Sequence, residues 1–232
     1  MEEVFPNFRK TAKEISIEGT PNSITTEKVE EYLSLSFNRV SLGVQTFCAS
    51  ELLLARRTHN NLDVEKAVKI LHSKKLPNIV FDLMAGIAGQ TVESFKQSVI
   101  EIIKLKPDTV EIYALGVMPY TSWQNKNEVF MPDKDIYRCY KLAMKLFLNA
   151  GYIQDCHNRY ALPGRGSFLQ EDNVFKGETL IGFGAGARTY ATNMHYRNNY
   201  SANNHYSAVK KYIENINNDK SPIEDGLKIS PE

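Results

Sequence analysis

The stretch Asn38–Cys48, NRVSLGVQTFC, decides the fold. Five of its residues read as a buried β-strand, which then runs out into Gly43-Val44-Gln45 with a cysteine close behind. In parallel βα repeats, ligand groups collect just past the carboxyl ends of strands. A glycine and an amide at this strand's end raise the question of whether its neighbours end in the same way.

Upstream, EISIEG (Glu14–Gly19) is a short β-branched run. TTEKVEEYLSLS follows, with Val29, Tyr32, Leu33 and Leu35 at helical spacing and Thr25 or Thr26 as N-cap. Downstream, a helical segment covers Ala49–Arg56, and DVEKAVKILHSKK puts Val64, Ala67, Val68 and Leu71 on one helix face with Asp63 at its start. NIVFDLMAG reads as the third strand, TVESFKQSVIEIIKLK as a helix stopped by Pro107, and TVEIYALG as the fourth strand. DKDIYRCYKLAMKLFLNAG is a further helix with Gly151 as its stop. Strands separated by helices of this length predict an α/β fold, a parallel sheet flanked by helices, over residues 1–150. The pattern then changes to a polar stretch, the Gly-rich GETLIGFGAGARTYA and a polar amphipathic helix. Residues 151–220 are expected to form a smaller C-terminal section, and residues 221–232 a frayed tail.

Composition narrows the function. The chain has 232 residues, 24% charged, with a formal net charge of +1. That balance gives no broad electrostatic footprint for nucleic acid or an anionic membrane. The sequence lacks an apolar run of membrane-spanning length, and MEEVFPNFRK is not a signal peptide, which leaves the cytoplasm as the expected compartment. Cys48, Cys139 and Cys156 are widely spaced and encode neither a disulfide framework nor a metal site, so all three are expected to be single thiols.

The strand-end rule selects a set. Strand one ends at Glu18, strand two at Gln45 and strand three at Asp82, each near a glycine (Gly19, Gly43, Gly86), and strand four runs out near Gly116. Each side chain alone would most simply cap a loop amide, but three in succession point to one shared ligand. ARRTH adds Arg56, Arg57 and His59; an arginine there can pair with a carboxylate or stack on a ribose-bearing base. GIAGQT lacks the Gly-Lys-Ser/Thr ending of a phosphate loop. GFGAGA lacks dinucleotide spacing, and permits close backbone approach either to a ligand or to packed strands.

ISIEGTP, NRVSLGVQTF, ARRTH, FDLMAGIAGQTVESF, AGY and LIGFGAGARTY occur in an order that resembles the radical S-adenosylmethionine enzymes related to oxygen-independent coproporphyrinogen III oxidase, with their haem-chaperone relatives. The likeness covers nearly the whole chain. It implies a partial TIM-like barrel of the radical SAM type, the third to sixth βα units over residues 1–150, with a C-terminal extension over 151–220. It implies that Glu18, Gln45, Arg57 and Asp82 contact S-adenosylmethionine, with Gly116 and Arg188 as further backbone contacts. His59 matches the histidine of the family's GR-x-H.

The departures matter as much. Ala88 stands where the family has proline, and Arg188 replaces the histidine of GAHS. The family's first two strands, with the CxxxCxxC loop that ligates a [4Fe–4S] cluster, have no counterpart here, so no metal ligand is expected in this chain. The leading expectation is the C-terminal portion of a radical SAM enzyme acting on a tetrapyrrole or another organic substrate, inactive by itself. The rival is a non-catalytic haem-handling module or an inactive remnant. A third expectation is a separate chain that supplies the missing βα units along the exposed edge of EISIEG.

Overall fold

The computed structural model describes residues 3–117, 129–165, 168–201 and 203–230. They form two compact units that divide between residues 165 and 168, with residue 117 grouped with the second.

The first unit begins with a single turn, α1 (Phe8–Thr11), and edge strand β1 (Ser16–Gly19). Then come α2 (Thr26–Ser34), β2 (Arg39–Gln45), α3 (Ala49–Leu54), α4 (Asn61–Ser73) and β3 (Asn78–Ala85). After them follow α5 (Val92–Leu105), β4 (Thr109–Ala114), α6 (Asp133–Asn149), β5 (Ile153–Gln154) and β6 (Arg159–Ala161). Helix starts follow local chemistry. Thr25 accepts from the Lys28 N–H, and Asn60 caps α4 while Asp63 reaches back to it. Thr91 and Ser94 form the same reciprocal pair on α5.

The six strands lie in the order β1-β2-β3-β4-β6-β5; β1 to β4 are mutually parallel. Parallel strands in sequential order, joined by right-handed crossovers, place every helix on one side of the sheet. One face is accordingly apolar: Leu42 and Val44 of β2, Phe81 and Leu83 of β3 and Ile112 of β4 are fully buried in one core with helix residues such as Leu71, Phe95 and Phe147. The opposite face is polar. Register puts Glu18 beside Ser41, Gly43 beside Asp82, and Asp82 beside Glu111. Period-2 alternation therefore gathers the charges of four strands on one surface.

Three expectations need correction. Strand β3 does not end at Asp82 but continues to Ala85, because Leu83 and Ala85 still belong to the apolar face. The first unit extends past residue 150, because Arg159–Ala161 pairs antiparallel with β4 and Ile153–Gln154 with β6. Residues 221–232 are not a frayed tail throughout: Ile223–Lys228 is strand β9 of the second unit.

That second unit contains α7 (Leu169–Phe175), β7 (Arg188–Ala191), β8 (Met194–Asn198), α8 (His205–Asn217) and β9 in an antiparallel sheet of order β7-β8-β9. GFGAGA precedes β7 and serves packing. A Cβ on Gly182 would lie 2.4 Å from the Arg188 carbonyl oxygen, and the Gly182 N–H donates to Thr189 Oγ1. Asn198 Nδ2 holds the Gly182 and Gly184 carbonyls from the neighbouring strand.

Candidate functional site

At the carboxyl ends of β1 and β2 lies a cavity of about 490 Å³ lined by Glu18, Gln45, Arg57 and Asp82, with Gly19 and Gly43 in its floor. Four of the six residues singled out from the sequence thus meet in one place. Gly116 does not line it; it lies two residues past β4 with open space around it. Arg188 is the exposed first residue of β7 in the second unit.

Each lining side chain is placed by a local device. The chain leaves β2 through a three-residue turn: Thr46 N–H donates to the Val44 carbonyl at 2.8 Å across Gln45, whose φ is 67°. A non-glycine residue in that region carries strain, and such strain persists where surrounding structure over-determines it. Arg57 follows the end of α3, where Arg56 takes a left-handed φ of 52°. The Arg56 N–H donates to the Leu53 carbonyl and the Arg57 N–H to Leu52, which closes the helix and turns Arg57 back toward β2. Its Nη2 donates to the Gly43 carbonyl at 2.6 Å. A Cβ on Gly43 would sit 2.7 Å from that nitrogen and 2.8 Å from Gln45 Nε2. Glycine is present because the guanidinium and the amide lie directly over the strand.

Beneath them, Ser41 Oγ donates to the Asp82 carboxylate at 3.1 and 3.2 Å. Burial, and then the negative charges of Glu111 and Glu18, push the Asp82 carboxyl up to about 7; Ser41 and Arg39 oppose the rise. Burial lowers the Arg57 pKa, with Asp82 opposing. His59 is buried and donates from Nε2 to the Val44 carbonyl at 3.1 Å, while Nδ1 has no partner among the described residues. Burial lowers its pKa, with the Val44 hydrogen bond opposing, and the ring clamps the end of β2.

Two further clusters surround the cavity. Arg39 pairs with Glu111 at 2.9 Å, both nearly inaccessible, and the Tyr113 hydroxyl donates to the other Glu111 oxygen. Neither was singled out from the sequence, although Thr109, Glu111 and Tyr113 alternate with Val110, Ile112 and Ala114 in TVEIYA. That alternation marks a strand with one polar face. On the helix side, buried Glu51 accepts from Thr46 Oγ1 at 2.5 Å, Ser94 Oγ at 2.5 Å and Gln90 Nε2 at 3.0 Å. Gln90 Oε1 in turn accepts from the Gly86 N–H at 2.7 Å. GIAGQT is thereby tied to the turn after β2.

Chemically, the cavity presents two carboxylates, one amide and one guanidinium, a set that complements a ligand carrying both cationic and carboxylate groups. It offers binding and orientation.

Residues 2–102 match the family model described as the Radical SAM superfamily. The chain is 29% identical over 224 residues to the Heme chaperone HemW of Lactococcus lactis subsp. lactis, covering 93% of this chain and 58% of that protein. It is 25% identical over 240 residues to the oxygen-independent coproporphyrinogen III oxidase of Helicobacter pylori, covering 100% of this chain and 52% of that protein. Among solved structures, the coproporphyrinogen III oxidase of Escherichia coli, described as a radical SAM enzyme, superposes with a TM-score of 0.78 at 18% identity over 94% of this chain and 52% of that one. Residues 2–102 are therefore a radical SAM segment, the chain has coproporphyrinogen-oxidase and haem-chaperone relatives, and its fold is that of the matched half of the oxidase. The chain spans about half the length of these curated relatives. The family as a whole uses S-adenosylmethionine and a [4Fe–4S] cluster. Among the described residues no helix is long and apolar enough to cross a membrane.

Proposed function

We propose that this radical SAM segment holds S-adenosylmethionine in the cavity of the first unit, as the C-terminal portion of an enzyme acting on a tetrapyrrole or another organic substrate. The observation that carries the reading is the convergence of Glu18, Gln45, Arg57 and Asp82 on one cavity beside the bare backbone of Gly43. Arg57 offers its guanidinium to the ligand's carboxylate, while Glu18 and Asp82 face its cationic groups. Gln45 supplies an amide for its polar edge. When bound, the cofactor supplies radical chemistry to the family; these residues supply orientation and charge.

The thiols of this chain do not fit a [4Fe–4S] cluster, which needs cysteine thiolates converging on one site. Cys139 is buried in α6 with Sγ 3.7 Å from Met131 Sδ, and burial pushes its thiol up to about 11. Cys48 follows β2, whereas Cys156 lies between β5 and β6 at the far edge of the sheet. No group of three His, Cys, Asp or Glu among the described residues is arranged for a metal. Among the described residues strand β1 pairs only with β2, and its outer edge is where the first two βα units of a full barrel, or a separate chain carrying them, would pair.

Calorimetric titration of the chain with S-adenosylmethionine tests the reading. Saturable binding is expected, weakened about tenfold by Arg57→Met and by Asp82→Asn, the loss of one charge-assisted contact each. No binding, or equal binding by both variants, would sink it. The second reading, a haem-handling module, is favoured by the relatives named as haem chaperones. Stoichiometric haem binding in an optical titration, with no response to S-adenosylmethionine, would decide for it.

A further inference from the structure

Behind Asp82, and outside the residues that line the cavity, lies a second acid. Glu111 of β4 is the direct strand neighbour of Asp82 on β3, and both side chains leave the same face of the sheet. Glu111 is buried, and its two oxygens are both filled: one accepts from Arg39 Nη2 at 2.9 Å and the other from the Tyr113 hydroxyl. On its far side its antiparallel partner is Arg159 of β6, whose Nε pairs with Asp155 at 2.9 Å. Asp82 is placed in the opposite way. Its neighbour on β2 is Gly43, which has no side chain to offer, and its donor among the described residues is the Ser41 hydroxyl. Glu18 from β1, Arg39 from β2 and Arg57 from the segment after α3 are the other charged groups that act on it. Like charges side by side on a sheet repel, and the less satisfied of two adjoining carboxylates is the one that takes up a proton or a cation.

We propose that Glu111 is a positioning residue that makes ligand uptake at Asp82 a proton exchange: the empty site holds a proton on Asp82, and a cationic ligand drives it out. The O–H bond of the Asp82 carboxyl breaks, the proton passes to water, and the positive charge of the ligand replaces it, so the site's charge is unchanged. Nothing is oxidised or reduced. Naming S-adenosylmethionine as the cation rests on the function proposed above. The exchange itself rests on the row Gly43–Asp82–Glu111 and on the locked geometry of Glu111. The rise of the Asp82 carboxyl to about 7, from burial first and Glu111 next, agrees with it.

Carboxyl-carbon NMR of the ligand-free full chain, titrated with acid and base, tests the role of Glu111. The Asp82 signal is assigned by its loss in Asp82→Asn. Its midpoint is expected near 7 in the parent, lower by about one pH unit or more in Glu111→Gln, and close to the parent's in Glu111→Asp, which keeps the charge. A merely structural Glu111 would alter stability without moving that midpoint. Calorimetric titration with S-adenosylmethionine at about pH 6, in two buffers of different ionisation enthalpy, counts protons at a pH where the ligand's amino group is already charged. Release of about 0.9 proton per molecule bound is expected from the parent. An ordinary parent midpoint near 4, a midpoint unmoved in Glu111→Gln, or binding without proton release overturns the proposal. The first and third of these use the parent alone, so the test stands even if Glu111→Gln fails to fold. A midpoint that falls in Glu111→Gln, in a chain that does not bind S-adenosylmethionine, upholds the role of Glu111 and counts against the proposed cofactor only.

Discussion

Two carboxylates border the turn that ends β2, and the fold treats them in opposite ways. Glu51, only 2% exposed, is enclosed by three donors: two hydroxyls and an amide. Asp82 has one hydroxyl from Ser41 and faces a cavity between the charges of Glu18 and Glu111. A buried acid whose acceptors are filled serves as a structural tie. One left short of partners, with its proton affinity raised, is a place for a ligand to complete. The difference separates scaffold from site within a few residues of one strand end.

The largest break in this comparison comes at Glu51. Glu51→Ala leaves the Thr46, Ser94 and Gln90 donors without their acceptor and unties GIAGQT from the turn after β2. A loss of about 3 kcal/mol is expected, near 1 kcal/mol per hydrogen bond, read from urea unfolding. A loss below about 1 kcal/mol would mean that water or rearrangement replaces the carboxylate, and that Glu51 is no tie.

Asp82 should behave in the reverse sense. Its folded pKa, about 7, lies above the ordinary 3.8, so the native state holds the proton more tightly than the unfolded chain. The resulting stability is complete below about pH 4 and is lost as pH rises toward 7. Asp82→Asn removes that decline. It should exceed the parent in stability at about pH 8 by on the order of 2 kcal/mol while matching it near pH 4. Parallel stability–pH curves for parent and variant would show that Asp82 titrates as an ordinary surface acid. The parent's affinity for a cationic ligand should rise through the same window as the carboxylate ionises.

How much of this was legible in the sequence depends on periodicity. The longer helices were readable because each carried one repeating apolar face, the parallel strands because they were short Val/Ile-rich runs, and Thr25 sat where a cap is needed; the short helices Phe8–Thr11 and Leu169–Phe175 were not read. The pooling of Glu18, Gln45, Arg57 and Asp82 followed from the strand-end rule together with the family resemblance. The polar face was missed as a unit. Arg39, Ser41 and Glu111 sit in strands whose apolar residues dominate the reading; only pairing register sets Glu111 beside Asp82, and only the side-chain hydrogen bond brings Ser41 to it. The end of β3 was misplaced because a charged residue resembles a terminus, although Asp82 is mid-strand and facing the cavity. Strand β9 was unreadable because all six of its residues are exposed and only pairing with β8 defines it.

The smallest expected effect sharpens the comparison at the backbone. Gln45 and Arg56 both hold left-handed φ values, 67° and 52°, where glycine fits without a Cβ penalty. Substituting glycine relieves that penalty but adds entropy to the unfolded chain, so each variant should gain about 0.5–1 kcal/mol. The two should part in binding. Arg56→Gly leaves the Arg57 guanidinium on the Gly43 carbonyl and should leave S-adenosylmethionine affinity within about twofold, whereas Gln45→Gly deletes an amide from the cavity and should weaken it about tenfold. Equal stability gains with divergent binding would show the strain at Gln45 to be retained for its side chain, and the strain at Arg56 to be only the end of a helix. Equal binding in both variants would remove Gln45 from the site and leave its turn as a means of leaving the sheet.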